Sequence, residues 1–201
     1  MRRFAFLFVL AFAALGVLPA KALDYSKLDL ENIILLELKT GTVVIETRPT
    51  LAPKHVARIK ELTRQEFYDG IVFHRVIDGF MAQTGDPTGT GTGGSGQNIP
   101  AEFNRLKHFR GTVSMARSGD PDSADSQFFI MLATGFGLDG HYSICGRVID
   151  GMEHVDQITN GSPHNDGIVQ DPDRIVRMRV AADVMNPDGT MKEGAQITKP
   201  E

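Results

Sequence analysis

The feature that most limits how this 201-residue chain can fold is a succession of short apolar runs with no regular helix between consecutive ones. Asn32 to Leu38, Thr42 to Thr47, Gly111 to Ala116, Gln127 to Leu132, Tyr142 to Ile149 and Arg174 to Val180 carry the β-branched and aromatic content of strands. The run FYDGIVFHRVIDGFMAQTGD, Phe67 to Asp86, adds two more, joined at the hairpin signal Asp78-Gly79. Parallel neighbours would need crossover helices, so about eight such strands predict antiparallel pairing in a closed barrel or a sandwich. Only two stretches have helical spacing. APKHVARIKELTR sets Val56, Ile59 and Leu62 three apart behind Pro53, and Gly151 to Thr159 does the same with Met152, Val155 and Ile158. One comes early and one late, as plugs for the two ends of a barrel would.

The makeup, 41% hydrophobic and 23% charged, is that of one soluble globular domain. The first 22 residues differ. Arg2 and Arg3, the apolar run Phe4 to Leu18 and the small-x-small site Ala20-Lys21-Ala22 form the pattern of a secretory signal peptide. The apolar run is shorter than the roughly 20 residues that span a bilayer, which leaves an uncleaved anchor as the weaker alternative. The expected organisation is therefore a signal peptide at 1–22, a flexible lead-in at 23–30, one domain at 31–183 and a tail at 184–201. Cleavage after Ala22 removes Arg2, Arg3 and Lys21 and takes the net charge from −4 to −4 − 3 = −7. An acidic chain without a basic block is a poor match for nucleic acid or for an anionic membrane surface. Cys145 is the single cysteine, so stability has to come from a filled core rather than from an internal disulfide.

Several motifs carry little. Gly89 to Gly94 satisfies G-x-G-x-x-G, but GQNIPAEF follows without helical period, so no helix N-terminus is offered to a phosphate. Asp120, Asp122 and Asp125 miss the calcium-loop spacing and read as a solvated turn. The six histidines lack the partners of a metal motif, and no metal is expected. No G-x-S-x-G elbow occurs; a Ser/His/Asp set from distant segments stays open, with nothing pointing to one. Arg75 stands out instead. Its guanidinium cannot lose its charge, so between Phe73 and Val76 it either reaches outward as a rim residue or sits at a site that uses its fork of donors.

FHRVIDGFMAQTGD, GTVSMARS, SQFFIMLA and LDGHYSICGRVIDGM stand in this order, and together they resemble the cyclophilin family of peptidyl-prolyl cis-trans isomerases over about Ile33 to Val180. The resemblance implies a closed eight-stranded antiparallel barrel capped by a helix at each end, an all-β fold with two short helices. It implies that Arg75 is catalytic and that Phe80, Met81, Phe129 and Leu138 receive the proline ring. Gln83 and Gln127 would hold the substrate backbone, beside Ala116, Arg117 and Tyr142. Three positions depart from the commonest eukaryotic pattern: Gly137 (or Phe136) replaces Trp, Tyr142 replaces His, and Arg117 replaces Asn. No cofactor is implied. The expected partners are proline-containing polypeptides, unfolded or newly exported, met by a monomer with no membrane attachment once the signal is cleaved. The expected compartment is the periplasm, with a secretory lumen as the alternative. A chaperone that uses the same groove, a scaffold built on the same barrel and, more distantly, a hydrolase are the competing readings.

Overall fold

The computed structural model describes residues 23–195; the expected signal peptide and the last six residues of the tail lie outside the described residues. Chain reversals set the strands. Lys39-Thr40 turns β1 (Ile33–Leu38) onto β2 (Gly41–Thr47), with Leu38 opposite Gly41. At Asp78-Gly79 the loop holds three residues rather than two, because Ile77 pairs with Met81, and Phe80 is carried into the turn. Its strands are β3 (Arg75–Ile77) and β4 (Met81–Thr84); β5 (Thr112–Met115), β6 (Phe128–Met131), β7 (Ile144–Asp150) and β8 (Arg177–Val180) complete one antiparallel sheet. Its order is β3-β4-β6-β5-β7-β2-β1-β8.

The barrel expected to be closed is open. β3 and β8 are the two edges, and the sheet curls into a half-barrel. The cause is the shortness of β3: Val72 and Phe73, expected inside the strand, leave the ladder. The segments ahead of β3 and β8 meet only through an isolated bridge, Val72 to Arg174, and single bonds such as Phe73 N–H to the Asp173 carbonyl at 2.9 Å. Among the described residues three α-helices stand where two were expected. The helix α1 (Pro53–Arg64) forms as its spacing predicts, α2 (Met152–Val155) is one turn of the stretch expected through Thr159, and α3 (Ala181–Val184) follows β8 directly.

The main core lies on the inner face of the sheet, where Ile34, Leu36, Val113, Phe128 and Ile130 meet Val56, Ile59 and Leu62 of α1. Full burial of each such side chain stabilises by about 1.5–3 kcal/mol. Nothing on Ala52 can cap α1, and Glu102 of a distant loop does so, accepting the Lys54 and His55 N–H groups at 3.0 and 3.1 Å. Strand β1 is buried throughout, because Ile33 and Leu35 face a second cluster with Ala181 and Met185. Leu23, Tyr25, Leu28 and Leu30 pack there, on two 3-10 turns, Tyr25–Lys27 and Leu30–Asn32, formed by the lead-in. In the tail, Met185 bridges Met191 around a turn at Asn186 to Thr190. Among the described residues no helix is long and apolar enough to cross a membrane.

Candidate active site

The register of the ladder assembles the site. Arg75 pairs with Gln83, Gln83 with Phe129, and Phe129 with Ser114, so four strands place one residue each in a single row. Side chains alternate along a strand, which turns the next row, Val76, Ala82, Ile130 and Val113, inward to the core. On the outer face, Met81, Phe129 and Met131 form a separate small cluster, against which Phe80, Ala116, Leu138 and Tyr142 pack.

Above this cluster is a cavity of about 200 Å³. It is lined by apolar Phe80, Met81, Phe129 and Leu138 together with Arg75, Gln83, Ala116, Arg117 and Tyr142. Drug-sized ligands occupy about 300–1,000 Å³, so this space suits one small ring. The tenth expected residue, Gln127, lines an adjoining cavity of about 370 Å³ that shares Gln83, Ala116 and Arg117. All ten residues are thus brought to one groove. A larger cavity, about 640 Å³, lies between Arg48, Leu106 and Arg147 and contains none of them. Size would select that cavity, but only the smaller one joins an apolar floor of Met81 and Phe129 to a guanidinium, that of Arg75, and to the Gln83 amide.

A chain of hydrogen bonds sets the polar rim. The Arg75 Nη1 donates to Gln83 Oε1 at 3.4 Å, Gln83 Nε2 donates to Gln127 Oε1 at 2.9 Å, and Gln127 Nε2 donates to the Gly91 and Gly93 carbonyls at 3.0 and 2.8 Å. The glycine loop is anchored in turn by buried Asp86, whose carboxylate accepts the N–H groups of Thr88, Gly91 and Gly93. Burial alone would raise the Asp86 pKa; the Thr88 hydroxyl and these backbone donors outweigh it and hold it down at about 2. The G-x-G-x-x-G run is therefore a loop wrapped on its own aspartate. Arg117 lies 4.8 Å over the Tyr142 ring and 5.7 Å over that of Phe103, and Tyr142 meets Phe129 edge-on at 5.6 Å. At Gly137, next to the cavity residue Leu138, an added Cβ would meet nothing within 4 Å.

Sequence reasoning missed two sets of residues. Asp166 accepts from Arg75 Nη2 at 2.8 Å and Nε at 3.2 Å, and the guanidinium holds its carboxyl below the ordinary carboxylate range. Behind Phe129, the His108 Nδ1–H donates to Asp139 Oδ1 at 3.0 Å, its Nε2 hydrogen-bonds Ser114 Oγ at 2.9 Å, and the ring stacks on the phenylalanine at 6.3 Å. This is a Ser/His/Asp set, but Ser114 and His108 are wholly buried, so the serine has no access to a substrate. Its place is structural: Asp139 also accepts the His108 N–H at 2.9 Å and fixes the turn that carries Leu138. Burial opposes the Asp139 charge, and hydrogen bonds from His108 and Lys107 keep its pKa at about 2. Neither set is signalled by local spacing. Among the described residues no three His, Cys, Asp or Glu side chains gather as a metal site.

The family model described as cyclophilin type peptidyl-prolyl cis-trans isomerase/CLD matches residues 33–180. The chain belongs to the cyclophilin family. A probable peptidyl-prolyl cis-trans isomerase of Brucella abortus is 48% identical over 185 residues, covering 86% of this chain and 93% of that protein. A peptidyl-prolyl cis-trans isomerase of Synechococcus elongatus is 39% identical over 151 residues, 74% of this chain and 96% of its own length. Among solved structures, the cyclophilin AquaCyp293 of Hirschia baltica superposes with a TM-score of 0.69 at 29% identity, over 78% of this chain and 76% of that one. A Cryptosporidium parvum cyclophilin, crystallised in the presence of the dipeptide Ala-Pro, gives 0.68 at 31% identity, over 74% and 98%. The cyclophilin fold here is the curled eight-stranded sheet with three helices, and the enzyme is a peptidyl-prolyl cis-trans isomerase.

Proposed function

We propose that the 200 Å³ cavity holds the proline ring of an X-Pro segment and that Arg75 stabilises the half-rotated amide. An X-Pro bond turns slowly because resonance gives the C–N bond partial double-bond character, with a barrier of about 18–20 kcal/mol. In the twisted state that conjugation is lost and the prolyl nitrogen regains a lone pair. A guanidinium N–H directed at this nitrogen bonds only the twisted form, which lowers the barrier without tightening ground-state binding.

Magnitudes divide the work. A gain of about five decades in rate requires roughly 7 kcal/mol, and one preorganised donor supplies about 3–4. The rest falls to Phe129, Met81, Phe80 and Leu138, which pin the ring while the preceding carbonyl swings along the Gln83–Gln127 rim. The single observation behind the reading is that Arg75 lines the same cavity as Phe80, Met81, Phe129 and Leu138 while its row neighbour Gln83 accepts from its Nη1. The clients we infer are unfolded chains newly exported to a periplasm, where X-Pro isomerisation would otherwise limit folding for tens to hundreds of seconds. Arg75→Ala is expected to lower kcat/KM by about two decades or more with the fold intact, measured in a protease-coupled proline-peptide assay. Activity near wild type would refute the role of Arg75.

A further inference from the structure

Asp166 lies on a strap, residues 161–169, that serves as the missing neighbour of edge strand β3. Val76 N–H donates to the Gly167 carbonyl at 2.8 Å, Gly161 N–H to Val76 at 2.9 Å, and Val169 N–H to His74 at 3.1 Å. The strap packs so closely that a side chain at Gly167 would run into Ile77 and the Val76 carbonyl. Arg75 is therefore held from both sides, by Gln83 of β4 and by Asp166 of the strap. Asp166 itself adopts φ 49° and ψ 31°, a left-handed conformation that aspartate tolerates better than most residues.

We propose that Asp166 is the positioning residue of Arg75, fixing the guanidinium so that its remaining N–H donors face the proline cavity. The proposal rests on the reading of Arg75 given above. An arginine has five N–H donors in a rigid plane. Asp166 takes the Nε–H, through its carbonyl at 2.9 Å and its carboxylate at 3.2 Å, and one Nη2–H at 2.8 Å. Gln83 takes one Nη1–H at 3.4 Å. One hydrogen on Nη1 and one on Nη2 are left, at the end of the fork. The Nη1 donor also reaches the Met81 thioether at 4.0 Å, an acceptor weak enough to yield to an amide nitrogen.

Stability gives no reason for this arrangement. Asp166 is 77% exposed, and an ion pair so open to water adds little to folding. What three contacts from one residue do achieve is the removal of torsional freedom from a long side chain before substrate arrives. Asp166 touches no reacting atom, and its effect passes entirely through Arg75.

The test is a double-mutant cycle on the full chain, with kcat and KM read separately by the protease-coupled assay. Asp166→Ala is expected to lower kcat about tenfold with KM changed by less than about twofold, as loss of orientation rather than of ground-state binding requires. Asp166→Asn, which keeps an acceptor oxygen and the left-handed backbone, is expected to restore most of the rate. Asp166→Gly, which suits the same backbone but has no carboxylate, is expected to behave as the alanine variant and guards against a folding defect of the latter. In the Arg75→Ala background, Asp166→Ala is expected to have no further effect. A wild-type kcat for both Asp166→Ala and Asp166→Gly beside an impaired Arg75→Ala overturns the positioning role alone. Equal losses with and without Arg75 overturn it too. A fully active Arg75→Ala overturns the reading of Arg75 and the proposal with it.

Discussion

The two faces of the β3-β4-β6-β5 ladder are made by the same strands and differ in almost everything else. Inward, the row Val76, Ala82, Ile130 and Val113 is apolar and at most 3% exposed, closed over by the rest of the sheet and by α1. Outward, the row Arg75, Gln83, Phe129 and Ser114 has one aromatic ring between polar groups, and among the described residues no α-helix packs on the cluster there. Three loops flank it instead: the glycine loop on Asp86, the turn fixed by Asp139, and the strap that carries Asp166. The inner row can be met by any residues that fill the volume. On the reading proposed for the cavity, the outer row is held to a narrower choice, since it has to keep the Arg75 guanidinium, the Gln83 amide and the Phe129 ring in mutual register.

Phe128 and Phe129 put this contrast on a single residue type, one position apart. Phe128 is 1% exposed and stacks edge-on to Tyr68 at 5.6 Å inside the core. Phe128→Ala is expected to cost about 3–5 kcal/mol of unfolding free energy, a large part of the about 5–15 kcal/mol that holds a domain together. Urea unfolding measures it, and kcat/KM per folded molecule should stay near wild type. A loss below about 1 kcal/mol would break the contrast between the two faces.

How much of this was legible in the sequence follows the same division. Short apolar runs such as QFFIML announce strands, and Arg75 between Phe73 and Val76 fits an outward row, because a permanent charge has no place in the inner one. Yet QFFIML is apolar at both parities, so the run does not say which phenylalanine faces the core; only the family resemblance picked Phe129. Closure of the barrel was misjudged for a related reason. The β-branched and aromatic content of Val72 and Phe73 reports burial, and both are buried, but it carries no information on whether their backbone groups enter a ladder. Asp166 meets Arg75 across 91 positions of chain and His108 meets Asp139 across 31, separations at which no local pattern speaks. In α3, AADV is a single turn, too short to show a period.

The loops over the outer face supply the next test, through pH. Asp86 is buried, and its pKa is held at about 2, below an ordinary value of 3.8. A depressed carboxyl stabilises the folded state above its unfolded pKa, and that contribution disappears as pH falls through the folded value. The window is therefore between about pH 4 and pH 2, and the amount is about 2 kcal/mol. Asp86→Asn is expected to remove most of this acid dependence, because the amide keeps one acceptor oxygen and has no charge to lose. Unfolding free energy measured at pH 6 and pH 2.5 in both proteins checks it. An equal acid loss in Asp86→Asn would mean that the glycine loop owes nothing to this charge.

The smallest effect is the most discriminating, because it concerns the outer ring. Phe129 is also nearly buried, but its ring borders the cavity, beside Tyr142, and stacks on His108. Truncation there joins an existing space instead of opening a sealed one, so less packing is lost than at Phe128. Phe129→Ala is accordingly expected to destabilise less than Phe128→Ala and to raise KM about tenfold, equivalent to about 1.4 kcal/mol of binding. Its kcat should fall less than that of Arg75→Ala, since the guanidinium and its Gln83 and Asp166 contacts remain. Steady-state kinetics on one proline peptide separate the two parameters. Were Phe129→Ala to match Phe128→Ala in lost stability and leave KM unchanged, the ring would be core on both sides. The cavity beside it would then have no proline to hold.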